Sequence, residues 1–157
     1  MLGVGNKAMT GPSFAPEGWG PDCDVQYNNN CYSYACDIKA GWAQPGSASG
    51  RRYQTLSCAD VFEAAIADGL APADPDQETD VKNGCHLAAL AMEPDSGFHW
   101  YRRDADGTWS HKPGDTLPTK LDNSGNPILD PRTADRGSHT SFGGFFWISK
   151  DRVRIRF

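Results

Sequence analysis

Near residue 30, hydrophobic residues begin to recur at helical spacing. Four of them occupy positions i, i+3, i+4 and i+7, namely Cys31, Tyr34, Ala35 and Ile38. Asn30 stands before this set at the position of an N-cap, and Gly41 follows it as a stop signal. The pattern predicts a short helix over residues 31–40, with Cys31 in its first turn.

A second helix is indicated by its capping signal. Ser57 followed by Asp60 resembles a capping box, and Gly69 supplies a stop. The apolar stripe between them consists of Val61, Phe62, Ala65 and Ile66. The next segment, residues 71–80, is acidic and contains proline, which predicts an exposed loop.

From residue 84 the pattern becomes that of strands. Residues 86–92 are apolar and have helical propensity, but the run is short and lies between Gly84 and Pro94, so we favour a buried strand. Aromatic-rich residues 98–103 and 108–112 are joined by Asp-Ala-Asp-Gly, which predicts a β-hairpin. Further strands are predicted at 127–130, 143–149 and 152–157, the last with strict alternation.

Two helices followed by five or six antiparallel strands define an α+β fold. The chain has 157 residues, 38% of them apolar, which fits one domain with its own core. We therefore expect a single domain over residues 1–157. It comprises an irregular segment at 1–30, a helical part at 31–70 and the antiparallel sheet at 84–157.

The charge balance excludes nucleic acid as a partner. The net charge is −5, and no basic stripe is present that would neutralise phosphates. No stretch approaches the roughly eighteen apolar residues of a membrane span, and residues 1–20 lack the features of a secretory signal. The sequence predicts synthesis in the cytoplasm and no membrane contact, with export as an effector or phage product left open.

The cysteine content predicts neither a zinc site nor a disulfide framework. Five cysteines form an odd set, so at least one thiol stays unpaired. Their spacing is not that of a structural zinc site, and we expect no metal and no cofactor. A disulfide between Cys58 and Cys85 stays open if the protein leaves the cytosol.

Cys31 is the candidate nucleophile, because the positive end of a helix dipole lowers the pKa of a thiol. The alternative is that Cys31 is a small buried hydrophobic residue, as most free cysteines are. A nucleophile needs a base, and His99 and His111 occupy the two arms of the predicted hairpin. His86 and His139 are interpreted as a packed and a solvated histidine.

The hairpin turn decides whether the two histidines meet. A type I turn with Gly107 in the left-handed conformation pairs residue 104 with residue 108 and places Tyr101 opposite His111. His99 and His111 then project from one face, one diagonal step apart. A register shifted by one residue would send His111 to the opposite face.

These residues resemble a known family. The sequence Asn-Cys-Tyr-Ser-Tyr-Ala at a helix start, a second helix, and a His-bearing strand with another polar residue twelve positions on resemble the papain-like cysteine hydrolases. The arrangement is most similar to NlpC-type and CHAP-type amidases and covers roughly residues 26–149. It departs from them at Asn30-Cys31-Tyr32, where those amidases usually have Asp-Cys-Ser/Gly or Gln-x-Cys.

The resemblance implies a papain-like fold and a catalytic triad. Cys31 would attack an amide and form a thioester, with His99 as the base and His111 orienting it. Gln26 and Asn30, with the Cys31 N–H, would hold the oxyanion. In the transglutaminase-type branch the third member is an aspartate, for which the candidates are Asp104, Asp106, Asp122 and Asp130.

Three functions stay open for the sequence. The first is a cysteine-dependent peptidase or amidase, acting as a monomer on a peptide, peptidoglycan or protein substrate. The second is a transglutaminase or protein deamidase, and the third is a non-catalytic binding module in which Cys31 is inert. Trp100, Tyr101 and Trp109 form the predicted substrate-binding wall, with completion of a core as the alternative.

Overall fold

A computed structural model describes residues 11–20, 23–76 and 84–157. Its helices are a 3-10 helix (Pro16–Trp19), α1 (Cys23–Asn28), α2 (Cys31–Cys36) and α3 (Cys58–Ala67). Its strands are β1 (Ala71–Ala73), β2 (Cys85–Glu93), β3 (Gly97–Arg103), β4 (Trp109–Ser110) and β5 (Ser141–Ser149). The strands pair antiparallel in one open sheet, in the order β1-β5-β2-β3-β4. The predicted α+β class with a five-stranded antiparallel sheet is confirmed.

Both predicted helices begin at their capping residues. The Asn30 side chain accepts a hydrogen bond from the Ser33 N–H at 3.0 Å, and Ser57 caps α3 in the same way. α2 ends at Cys36, earlier than predicted, because Asp37 adopts the left-handed conformation with φ 56°.

Apolar clusters cover both faces of the sheet. Between helices and sheet lie Tyr32, Ala35, Val61, Ala65, Ala88, Leu90, Trp100 and Phe146. On the opposite face lie Leu87, Ala89, Tyr101, Trp109, Ile128 and Phe145. Successive residues of β2 therefore enter opposite clusters, which explains a run without polar alternation. The prediction of a buried strand over residues 86–92 is confirmed.

The strand predicted at residues 152–157 is wrong. This segment pairs with no strand of the sheet: its first residues turn back onto the Ser149 carbonyl at the end of β5, and later backbone groups bond to Asp68 and Gln44. Val153 and Ile155 nevertheless pack on the core, so the alternation reports burial of one side of an irregular segment.

Three further segments differ from expectation. Residues 127–130 make only isolated bridges, so the strand predicted there is wrong. The loop predicted at residues 71–80 begins with β1, which pairs with β5, and its end lies outside the described residues. The segment predicted to be irregular, residues 1–30, contains the 3-10 helix and α1 within its described part. The single-domain organisation stays a prediction.

The cysteine side chains that the structure describes are free thiols. Cys58 is exposed and donates its S–H to the Gly143 carbonyl at 3.8 Å, whereas Cys85 is buried. The disulfide left open between Cys58 and Cys85 is therefore not formed.

The hairpin between β3 and β4 has the predicted register. Arg102 lies opposite Ser110, and the Asp104 N–H donates to the Thr108 carbonyl at 2.8 Å. Gly107 has φ 85°, the left-handed conformation that this turn requires. The turn thus determines which face of the hairpin carries each side chain.

His86 is packed in the interior, as predicted. Its Nε2–H donates to the Ala35 carbonyl at 2.7 Å. Burial lowers the pKa of His86 to about 4, so the ring is neutral in the folded protein at neutral pH.

Substitution of Gly107 tests the turn. We expect Gly107→Ala to lower the free energy of unfolding by about 1 kcal/mol, because a Cβ is disfavoured at positive φ. Denaturant titration measures the change. The matched control is Gly97→Ala, where an added Cβ meets nothing within 4 Å. Equal effects of the two substitutions would contradict the assigned turn.

The buried His86 makes stability depend on pH. An unfolded histidine has a pKa near 6.5, so the unfolded chain binds more protons below that pH, and stability falls as pH decreases. We expect His86 to account for a loss of about 2 kcal/mol between about pH 7.5 and pH 5. Unfolding of the wild type and of His86→Gln, compared at both pH values, isolates this share. A difference between the two proteins that does not change with pH would refute it.

Candidate functional site

A cleft of about 490 Å³ opens where the start of α2 meets β3. Its lining includes five of the residues assigned to a site from the sequence: Asn30, Cys31, His99, Tyr101 and His111. The remaining wall comes from the chain between Trp42 and Leu56, the start of β3, and loops around residues 113 and 138. We call this site the imidazole cleft.

Two imidazoles form a hydrogen-bonded chain in the cleft. His99 Nε2 lies 2.7 Å from His111 Nδ1, and His111 Nε2 lies 2.8 Å from the Leu121 carbonyl. A carbonyl only accepts, so the proton of His111 is on Nε2 and its Nδ1 accepts from His99 Nε2–H. His99 Nδ1 is then an unprotonated acceptor. The predicted contact between the two hairpin arms is confirmed.

Both imidazoles are neutral. Burial, reinforced by the neighbouring His111 and His139, holds the pKa of His99 well below its usual range. Burial also lowers the pKa of His111. The rings of His99 and His139 lie 5.3 Å apart, so His139, interpreted from sequence as a solvated loop residue, belongs to this cluster.

The Cys31 thiol is protonated at neutral pH. Burial raises its pKa to about 11, and this outweighs the lowering by the backbone N–H groups of Trp100 and Tyr32 and by the charge of Lys112. Among the described contacts no hydrogen bond joins Cys31 Sγ to His99. The structure therefore places a neutral thiol and a neutral histidine pair in one cleft, and not a thiolate beside an imidazolium.

Lys112, which no sequence pattern marked, joins segments of the chain around the cleft. Its buried ammonium donates to the carbonyls of Gln26, Asn29 and Gly114. These bonds tie α1 and the residue before Asn30 to the chain that follows β4. Burial of Lys112 lowers its pKa.

The residues predicted to hold an oxyanion are engaged elsewhere. The Gln26 amide donates to the Asp115 carbonyl at 3.2 Å, and Gln26 does not line the cleft. The Asn30 side chain accepts from Ser33 N–H and donates to the Ala43 carbonyl, so both of its ends are occupied.

The aromatic side chains that line the cleft are mostly not the three that the sequence predicted. Trp100 is fully buried in the core, and Trp109 packs on Phe145 outside the cleft, so of the three predicted aromatics only Tyr101 lines it. The wall is formed instead by Trp42, Tyr53 and Phe98. The available sequence signal was Trp42 itself, a large aromatic residue directly after Gly41, the predicted helix stop.

The candidate aspartates do not replace His111. None of them lines the cleft. Asp104, Asp106 and Asp130 each form an ion pair with a lysine or arginine. Asp122 accepts hydrogen bonds from backbone N–H groups.

Two further findings concern the described residues as a whole. They contain no group of three or more His, Cys, Asp or Glu side chains arranged to hold a metal ion. None of their helices is long and apolar enough to cross a membrane.

Comparison with known proteins identifies a relative of almost the same length. The chain is 44% identical over 144 residues to insoluble matrix shell protein 1 of Ruditapes philippinarum, covering 90% of this chain and 93% of that protein. No protein-family model matches the chain, and no solved structure matches it. The resemblance to papain-like amidases therefore stays a prediction.

The relative corrects the functional prediction. Its name describes a component of an insoluble shell matrix and not a hydrolase, so the prediction of a cysteine peptidase or amidase is wrong. In the cleft, burial raises the pKa of the Cys31 thiol and lowers that of His99, and both shifts disfavour the thiolate–imidazolium pair of an activated cysteine. Of the three functions left open by the sequence, the non-catalytic binding module agrees best with this relative.

Alkylation of Cys31 tests the state of the thiol. With a pKa of about 11, on the order of one molecule in a thousand carries the thiolate at pH 8. We expect the iodoacetamide rate at Cys31, followed by peptide mass spectrometry in the folded protein, to rise about tenfold per pH unit up to about pH 10. A rate that levels off at or below about pH 8.5 would contradict this.

Proposed function

Because the chain belongs to the family of insoluble matrix shell protein 1, we propose that it is a non-catalytic binding module of an exported, insoluble matrix. The observation that carries the proposal is the 44% identity over 90% of the chain. An identity of this extent, spread over nearly all of both proteins, favours a shared core and a shared role. The chain then acts by contact with other matrix components.

The imidazole cleft is the proposed contact site. It is concave, it has aromatic walls, and it bears few charges, which are features of a binding site. Trp42 is 42% exposed, which is unusual for a tryptophan and places a large apolar face in reach of a ligand. Cys31 lines the cleft, and in this proposal its neutral thiol has no chemical role.

We further propose that the scaffold is papain-like. The support is the position of Cys31 at the start of α2, in the same cleft as His99 of β3, which bonds to His111 directly after β4. A fold does not determine a function, and a cleft first suited to catalysis can serve binding. In this proposal the geometry of the triad persists while burial removes its reactivity.

Retention by the matrix tests the proposed function. The full chain should bind to the insoluble fraction of Ruditapes philippinarum shell, and Trp42→Ala should lower the bound fraction several-fold, because the exposed indole face is lost. Sedimentation followed by quantification of the bound protein measures this. The control is Phe157→Ala, which removes an aromatic ring that is 77% exposed and does not line the cleft.

A second measurement addresses catalysis. Incubation of the chain with the same material should release no more amine or ammonia than incubation with Cys31→Ala. Release that depends on Cys31 would overturn the non-catalytic role, and unchanged retention of Trp42→Ala would overturn the cleft as the contact site.

A further inference from the structure

We infer that the imidazole cleft binds an uncharged glycan segment of the matrix. This inference rests on the proposed function and names the class of ligand for the same site. It depends on the charge of the lining, on the orientation of its aromatic rings, and on the polar atoms that have no partner.

The cleft lining contains one charged side chain, that of Arg136. No aspartate or glutamate is among its lining residues. Its single arginine, Arg136, donates through Nε and both terminal nitrogens to the carbonyls of Pro131, Arg132, His139 and Thr140. His99 and His111 are held neutral by burial. A cationic ligand would lose its hydration without gaining an ionic partner. An anionic ligand would meet a single guanidinium whose N–H groups are largely used on carbonyls, so the cleft favours a neutral ligand.

The aromatic wall is held in place before a ligand arrives. The Trp42 Nε1–H donates to the Tyr27 carbonyl at 2.7 Å, which fixes the indole although the ring is exposed. The Tyr53 hydroxyl donates to Gln44 Oε1 at 2.6 Å, and the Tyr53 ring packs edge-on against Phe98. Fixed aromatic faces suit the flat C–H faces of sugar rings, because neither side loses much conformational freedom on contact.

The lining of the cleft also carries polar atoms with no hydrogen-bond partner among the described residues. They are the Tyr101 hydroxyl, His99 Nδ1, the His139 ring nitrogens and the Asn123 amide. The Tyr101 hydroxyl and the Asn123 amide can both donate and accept hydrogen bonds, and each His139 ring nitrogen donates or accepts according to the tautomer. A sugar hydroxyl has the same double capacity, so a row of hydroxyls can satisfy them together.

Binding to soluble probes tests the inference. Oligomers of N-acetylglucosamine and of glucose represent uncharged glycans, a sulfated glycan is the charged probe, and an uncharged proline-rich peptide is the peptide probe. We expect at least one uncharged oligosaccharide to bind the full chain by calorimetry and to quench tryptophan fluorescence. Trp42→Ala should weaken that binding about tenfold.

Two further variants keep the test decisive. Asn123→Ala changes an exposed side chain that makes no side-chain hydrogen bond in the described structure, so it should fold normally and still weaken binding several-fold. Phe157→Ala, outside the cleft, should bind as the wild type does.

The outcomes separate the two proposals. Binding of the peptide or of the sulfated glycan alone, or of no oligosaccharide while matrix retention still requires Trp42, would overturn the glycan assignment and leave the proposed function intact. Oligosaccharide binding that neither Trp42→Ala nor Asn123→Ala changes would overturn the site. Matrix retention that is indifferent to Trp42 would overturn the cleft as the contact site of the proposed function.

Discussion

The register between β3 and β4 is the constraint on which the imidazole cleft depends. Gly107 in the left-handed conformation pairs residue 104 with 108, and this places His99 and His111 on one face of the hairpin. Because side chains alternate along a strand, a shift of one residue would move His111 away from His99 and break the 2.7 Å contact between their rings. One turn residue therefore determines whether the imidazole wall of the cleft exists.

Burial determines the protonation states of the side chains in the cleft. The same desolvation that raises the pKa of Cys31 to about 11 lowers the pKa of His99 and of His111. A thiol and a histidine activate each other only when a proton passes between them, and burial opposes the charge on both partners. A cleft that contains a cysteine and two hydrogen-bonded histidines is thereby compatible with a protein that only binds. The position of the residues was predictable, whereas their protonation depends on the depth at which the rest of the fold places them.

The sequence predicted what short-range signals control. The capping residues Asn30 and Ser57, the buried run of residues 86–92 and the turn at Gly107 each act within a few residues, and each was predicted correctly. The failures have tertiary causes. Residues 152–157 alternate like a strand, but their backbone partners lie around α3 and in the loop after α2, which no local pattern reveals. The protonation state of Cys31 was not predictable for a similar reason, since burial of a thiol is a property of the whole fold.

The aromatic wall of the cleft, which the sequence did not predict, is held by long-range contacts. The Gln44 N–H donates to the Arg156 carbonyl, so the C-terminal segment anchors the loop that carries Trp42. The Gly46 N–H in the same loop donates to Asp68 at the end of α3, and φ 84° at Gly46 brings its backbone against Arg51, where a Cβ would overlap the carbonyl. The imidazole wall thus arises from one local turn and the aromatic wall from contacts between distant segments. A cleft built from both exists only in the complete fold, which suits a role that depends on shape and contact.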